Sequence, residues 1–344
     1  MSPTIGVLYE HPEWFKPLFA TLDRRRLPWV PVDGASLGWD PTLRPGFDLL
    51  VNRMSPSAWT RGHGHAIQST LAYLHYVERW GIPIVNGLDA WRLEISKSAQ
   101  LDLFEQLGVP YPRARVINHA SQAQAAARGL RFPIVVKPNI GGSGAGIQRF
   151  DAPDELQHAV EARALALGMD DTALVQEFLP AEGGHITRLE ILQHELLYAI
   201  RITPPQGHGF NLCPADICHV DESSGGGADD VRGGGALALQ PAPAFEVCPA
   251  KPAMQIEATH APAEVVAQAL AISRAAGLDV CGIEFLVDQR DGRPYFYDVN
   301  ALSNFVTDAP RVVGFDPFER LVDVIEQRLP EGRISHFALQ GPNI

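Results

Sequence analysis

Residues 133–147 read PIVVKPNIGGSGAGI. An apolar β-type run over 134–136 stops at Lys137 and Pro138, and glycines follow at 141, 142, 144 and 146. This spacing does not fit a P-loop, which needs a lysine after the loop, nor the G-x-G-x-x-G dinucleotide register. A third arrangement fits: a glycine-rich flap between two strands, whose backbone N–H groups close over phosphates. A lysine on the strand before the flap would reach the same anion. A plain β-turn is the alternative, disfavoured because each glycine costs about 0.5–1 kcal/mol more than alanine to order.

Composition adds weight to Lys137. Of 28 lysines and arginines only four are lysines, at positions 16, 97, 137 and 251. Positive surface charge is therefore mainly arginine, and a lysine inside a patterned strand has a separate reason to be there. Lysine is a compact point charge on a long stem, suited to a phosphate approached end-on.

The 344 residues carry a net charge of −12. That argues against broad nucleic-acid binding, which needs a basic surface, but it leaves room for a nucleotide held by a few local cations. Four cysteines in this length are too sparse for a disulfide scaffold. The first residues lack the basic and apolar regions of a signal peptide, and no apolar run is long enough to span a bilayer. The expectation is a cytoplasmic protein with no nucleic-acid and no membrane partner.

Around the flap, strand-like and helix-like stretches alternate. Strands are expected at 4–9, 29–33, 47–54 and 82–87, with helices after the first and over 65–81. This pattern implies a parallel α/β unit. A single helix is expected over 89–108, closed by Gly108 and Pro110. A strand at 113–117, the flap strand, a helix over 152–167 capped by Asp151, and a strand at 173–180 follow. A hairpin is expected over 186–202, turning near 193–195. The Pro- and Gly-dense segment 203–262 holds an expected mobile loop over 221–235. A helix over 262–277 and a hairpin of strands 280–288 and 293–300 complete the pattern. The division expected is an N-terminal domain over 1–92, a central lid over 93–180, and a C-terminal subdomain over 181–344.

The last hairpin carries the second chemical signal. Glu284 lies among apolar neighbours in GIEFL, where a carboxylate is costly unless paired or metal-bound. Asp298 and Asn300 in YDVN are two apart and share one strand face. Across the hairpin Glu284 could meet Asp298. Two carboxylates and an amide oxygen are hard ligands suited to Mg²⁺. Solvated surface acids are the alternative reading.

Taken together, VVKPNIGGSGAGI, VQEFLP and GIEFLVD…YFYDVN, in this order and spacing, resemble the ATP-grasp ligases, in particular the glutathione-synthetase and RimK-type branch. The resemblance covers roughly residues 45–310. It implies an α/β ATP-grasp fold preceded by a Rossmann-like parallel α/β domain. It also implies that Lys97 and Lys137 contact the nucleotide and that the flap Gly141, Gly142, Ser143, Gly144, Ala145 and Gly146 covers the phosphates. Gln176, Glu177, Phe178 and Leu179 would form the adenine hinge, Glu182 would bind ribose, and Asn211 would lie near the phosphates. Glu284, Asp298 and Asn300 would hold Mg²⁺, with Mn²⁺ as the alternative ion. Arg188 and Arg201 on the 186–202 hairpin would join Lys137 in catalysis by holding a carboxylate or oxyanion; two solvated arginines are the other possibility. The activity implied is ATP-dependent carboxylate–amine ligation through an acyl phosphate. An ATP-binding regulator and a phosphotransferase are the alternatives. The expected partners are a small-molecule or peptide carboxylate and an amine, with a homodimer as the candidate assembly. Cys213-Pro214-Ala215-Asp216 replaces the basic, glycine-containing segment usual in such ligases. Arg53, at a strand end of the first unit, is a further candidate for binding an anion. His63 and His65 are loop residues that could line a cleft or merely lie on the surface.

Overall fold

In the computed structural model the described residues are 3–205, 210, 212–213 and 254–330. Asn211, Cys218, Cys248 and the loop expected over 221–235 lie outside them.

The chain begins with a four-stranded parallel sheet. It comprises β1 (Ile5–Tyr9), α1 (Lys16–Arg24), β2 (Trp29–Asp33), β3 (Leu49–Asn52), α2 (Gly64–Arg79) and β4 (Ile84–Val85). The strand order is β2-β1-β3-β4. The direction of winding reverses between β1 and β3, so their C-terminal ends border a crevice.

The helix expected over 89–108 is two helices, α3 (Leu88–Glu94) and α4 (Lys97–Leu107). Ser96 breaks it: its side chain accepts from the Ala99 N–H and caps α4. Asn139 Oδ1 takes the Ser98 N–H at 2.9 Å. The break places Lys97 in the first turn of α4.

A second, antiparallel sheet follows, built from β5 (Ala114–Ile117), α5 (Ala123–Ala127), β6 (Ile134–Pro138), β7 (Gln148–Phe150), α6 (Pro153–Glu161) and β8 (Ala173–Glu177). Its order is β5-β8-β6-β7, with α5 and α6 closing its own core around Ile134, Val136, Phe150 and Val175. Helix α6 is shorter than expected and its cap position is Ala152. Asp151 instead pairs with Arg149 at 2.7 Å.

The third sheet is antiparallel, order β11-β10-β9-β12-β13. It comprises β9 (Ile186–Leu192), β10 (Glu195–Thr203), β11 (Gln255–Ala258), α7 (Ala263–Ala275), β12 (Val280–Val287) and β13 (Pro294–Asn300); α8 (Ala309–Val313) and α9 (Pro317–Arg328) follow. One face, including Leu189, Ile191, Ile283 and Phe285, packs on α4 and α7. Part of the other face joins a core shared with the first sheet, where Ile5, Leu18 and Leu22 meet Tyr198, Ile200, Phe318 and Leu321. Arg25, just after α1, also pairs with Asp323 on α9 at 2.6 Å. The first and third sheets are thus packed together, while the second keeps a separate core. No described helix is long and apolar enough to cross a membrane.

Two bulges set which residues share a face. In the β9–β10 hairpin Leu196 opposes Ile191, but Tyr198 opposes Glu190, so Leu197 is the extra residue. In the β12–β13 hairpin Phe285 opposes Phe296, but Glu284 opposes Asp298, so Tyr297 is the extra residue. A shift of one residue sends every later side chain to the opposite face.

Candidate active site

A cavity of about 460 Å³ lies where the three sheets meet. Its walls bring together Lys97, Lys137, the flap residues Gly141–Ala145, the hinge residues Gln176–Leu179, Arg188, Glu284, Asp298 and Asn300.

The flap joins β6 to β7. Ser143, Gly144 and Gly146 have positive φ (54°, 73° and 74°). The glycines occupy two of these left-handed positions without the strain a Cβ would bring. A Cβ on Gly142 would sit 3.0 Å from Ser57 Cβ, so the flap lies close against the first domain.

Lys137 is 6% exposed at the end of β6 and donates to the Tyr297 carbonyl at 3.4 Å. Burial, with Lys97 nearby, pulls its ammonium down to about 7. Lys97 forms an ion pair with Asp298. Burial works against its charge, but Asp298 outweighs it and holds the lysine above its ordinary value. Asp298 is likewise opposed by burial, yet Lys97 and Lys137 hold it below the usual carboxylate range. Asn300 Nδ2 donates to Asp298 Oδ2 at 3.1 Å.

The β13 bulge seats Glu284 directly opposite Asp298, and the extra residue Tyr297 donates its hydroxyl to Glu284 Oε2 at 2.8 Å. Burial raises the Glu284 carboxyl, and Asp298 adds to this against the pull of Arg188. Arg188 donates to Glu284 at 2.8 Å and to Glu190 at 2.6 Å. Glu284, Asp298 and Asn300 therefore present hard oxygen donors on one sheet face beside two lysines. That donor set suits a magnesium ion.

Arg188 occupies space that Gly282 leaves open. A Cβ on Gly282 would fall 2.0 Å from Arg188 Nη2. Gly282→Ala is therefore expected to push the guanidinium out of place and lower turnover by about 10²-fold. ATP affinity, measured by titration, should change little, because Lys97 and Lys137, expected to contact the nucleotide, do not pair with Arg188. Unchanged turnover would show that Arg188 has no part in the reaction.

Other expected residues sit differently. Because of the β10 bulge, Ile200 rather than Arg201 shares the face of Arg188. Arg201 lies off the cavity and pairs with Glu257 at 3.1 Å. An unbroken ladder from the 193–194 turn would have put both arginines on one face. Glu182 is exposed after β8, outside the cavity, although its neighbours Ala181 and Gly184 line it. Glu177 is buried, and its carboxylate accepts from the Arg131 N–H at 2.9 Å and from Arg113 at 3.3 Å. Its side chain is thus committed to these partners. Gln176 is 4% exposed and lines the cavity, and its Nε2 has no partner among the described residues. Arg53 is buried under Phe15 and donates to the Ser303 carbonyl, so it braces the first domain against the 301–306 loop rather than lining the cavity. His63 does not line the cavity either; its Nδ1 lies 2.6 Å from Glu10 Oε1.

The sequence reading missed Tyr297, Glu190 and Glu94. Glu94, 7% exposed, lines the cavity, and burial pushes its carboxyl up to about 7. Only its place between apolar Leu93 and Ile95, just before Lys97, hinted at it.

The chain is similar to several known proteins. The family described as D-ala D-ala ligase C-terminus matches residues 103–207, from α4 through the flap and hinge to β10. A D-alanine--D-alanine ligase of Haemophilus influenzae (strain PittEE) is 33% identical over 133 residues, which is 37% of this chain and 43% of that protein. The chain thus matches less than half the length of this curated relative. Among solved structures, a RimK domain protein ATP-grasp from Sphaerobacter thermophilus is similar in fold, with TM-score 0.62 and 19% identity over 94% of this chain and 99% of that one. The ATP-grasp ligase PsnB, complexed with a phosphomimetic variant of its minimal precursor, Mg and ADP, has TM-score 0.62 and 18% identity over 94% of this chain and 98% of that one. Over nearly the whole chain the fold is thus similar to that of these ATP-grasp proteins, with the flap, hinge and cross-strand carboxylates around one cavity.

Proposed function

We propose that the protein is an ATP- and magnesium-dependent ligase that joins a carboxylate to an amine through an acyl phosphate. The observation that supports this most is the meeting of Lys97, Lys137, Arg188, Glu284, Asp298 and Asn300 in one cavity beneath a glycine flap. In this reading residues 93–180 form the lid, between an N-terminal domain over 1–92 and a C-terminal subdomain from 181.

The hinge at Gln176–Leu179 receives the base, and the two lysines and flap amides hold the phosphates. A carboxylate oxygen of the first substrate attacks the γ-phosphorus, and the bond to ADP breaks. Phosphoryl transfer of this kind needs alignment and charge neutralisation more than a protein nucleophile. Magnesium bound by Glu284, Asp298 and Asn300 would neutralise phosphate charge. Arg188 then faces the oxyanion that forms when the amine attacks the carbonyl carbon. Closure of the flap excludes water, which would otherwise hydrolyse the acyl phosphate.

ADP release over a panel of amino acids and dipeptides tests the reaction. Release that needs both a carboxylate and an amine is expected. Turnover with one substrate alone would favour a phosphotransferase, and tight ATP binding without turnover would favour a regulator.

Lys137→Ala is expected to weaken ATP binding by about 10- to 100-fold, the loss of one charged hydrogen bond. The wild-type affinity should also depend on pH. Free Lys137 titrates near 7, below its ordinary value of 10.5. A bound phosphate favours the ammonium, so the complex holds more protons than the free protein above that pH. Affinity should therefore fall as pH rises from about 7 towards 9, by at most tenfold per unit. Calorimetry at both ends of that range should show the slope in the wild type and its loss in Lys137→Ala.

A further inference from the structure

Glu94 ends α3 and lines the cavity, where the charges of Asp298, Lys97 and Arg188 act on it. Its Oε2 accepts from the Ala301 N–H. Its carboxylate forms no ion pair among the described residues: Lys97 is committed to Asp298, Arg188 to Glu190 and Glu284, and Arg53, whose charge also acts on Glu94, donates to the Ser303 carbonyl. A buried carboxylate is normally paired or metal-bound. One that opens on a ligand cavity with a hydrogen bond but no ion pair leaves room for a cation that arrives with the ligand.

Two cations are available in the reaction. Magnesium usually takes one or two protein carboxylates and completes its shell with water and phosphate, and Glu284 with Asp298 already supplies two. The amine, in its ammonium form, has no other anion assigned to it. The same cavity is lined by apolar Trp14, Pro56, Leu302 and Phe305 and by polar Ser55 and Asn304, none of them an anion. We propose that Glu94 receives the ammonium of the acceptor amine and holds its nitrogen close to the carboxylate being activated near Arg188. This assignment rests on the ligase reading. In the joining step the nitrogen lone pair attacks the carbonyl carbon, and the C–O bond to phosphate breaks with its electron pair. Two N–H protons leave, one with the phosphate and one to solvent.

Glu94→Gln removes the charge while keeping an oxygen for the Ala301 N–H. Two acceptors separate the role: the amine identified by the panel, and hydroxylamine, which is largely uncharged near neutral pH and traps the acyl phosphate as a hydroxamate. The variant should raise the KM for the ammonium substrate by about 10- to 100-fold. Hydroxamate formation should fall by less than about threefold, and the magnesium requirement should not move. Should Glu94→Gln melt well below the wild type, Glu94→Asp, which keeps the charge, should show a smaller rise in the same KM. Equal loss with both acceptors, an altered magnesium requirement, or an unchanged amine KM would each overturn the assignment. Wild-type protein that forms neither amide nor hydroxamate would instead remove the ligase reading, and this assignment with it.

Discussion

Asp298→Ala is expected to lower magnesium-dependent ADP release by about 10³-fold. The side chain stands at the centre of the charge pattern, opposite Glu284, paired with Lys97 and hydrogen-bonded by Asn300. Its removal takes away one of two hard carboxylates and leaves Glu284, which Arg188 and Tyr297 already engage. Lys97 would then lose its ion-pair partner, though Glu94 and Glu284 still favour its charge. ATP without magnesium should therefore bind the variant at least as well as the wild type, while the response of turnover to magnesium disappears. Titrating ADP release against magnesium in both proteins checks this, and a variant with wild-type magnesium dependence would refute the metal assignment.

Asn86→Ala is expected to destabilise the protein by roughly 3–5 kcal/mol, read from urea unfolding. Asn86 follows β4 and is 2% exposed, yet its side chain ties the first sheet to the third. Nδ2 donates to the Val280 carbonyl at 2.7 Å and also to the Ala301 carbonyl. Oδ1 accepts the Asp279 and Val280 N–H groups at 2.9 and 3.1 Å. Alanine would leave these buried backbone groups without partners. It would also inherit a φ of +53° that asparagine tolerates better than most residues. Asn86→Gly should recover about 1 kcal/mol of that loss, the part due to backbone conformation. A loss below about 1 kcal/mol for Asn86→Ala would mean that water replaces the bonds. The position matters for the site because Ala301, whose carbonyl accepts from Asn86, follows Asn300 and donates its N–H to Glu94, so the same peptide segment joins the domain contact to the site.

Much of this site could be read before any fold was known. Lys137 was visible because lysine is rare in this chain and stands where an apolar strand meets a glycine run. The strand alternation of YDVN put Asp298 and Asn300 on one face, as they are. Lys97 was named only by resemblance, and the long helix drawn through it was wrong. The helix signal is continuous from 89 to 108, and only Asn139 and the Ser96 cap, one of them 43 residues distant, show why it breaks. Arg201 was misplaced for a related reason. Alternation along a strand says which neighbours share a face, but not how two strands of a hairpin are registered.

By itself, the sequence determined the residue types available for chemistry and the local periodicity that aligns each with its near neighbours. Lysine, glycine, carboxylate and amide types are intrinsic, and so is the two-residue repeat of a strand. Only the tertiary structure decided which strands' faces coincide. One extra residue at Tyr297 turns Asp298 towards Glu284, and one at Leu197 turns Arg201 away from Arg188. A bulge carries no strong local signal in either hairpin. It forms where packing on both faces of the sheet favours the shifted register, here apolar Phe285, Phe296 and Val299 against α4 and α7 on one side and the charged cavity on the other. That balance is set by residues far apart in the chain.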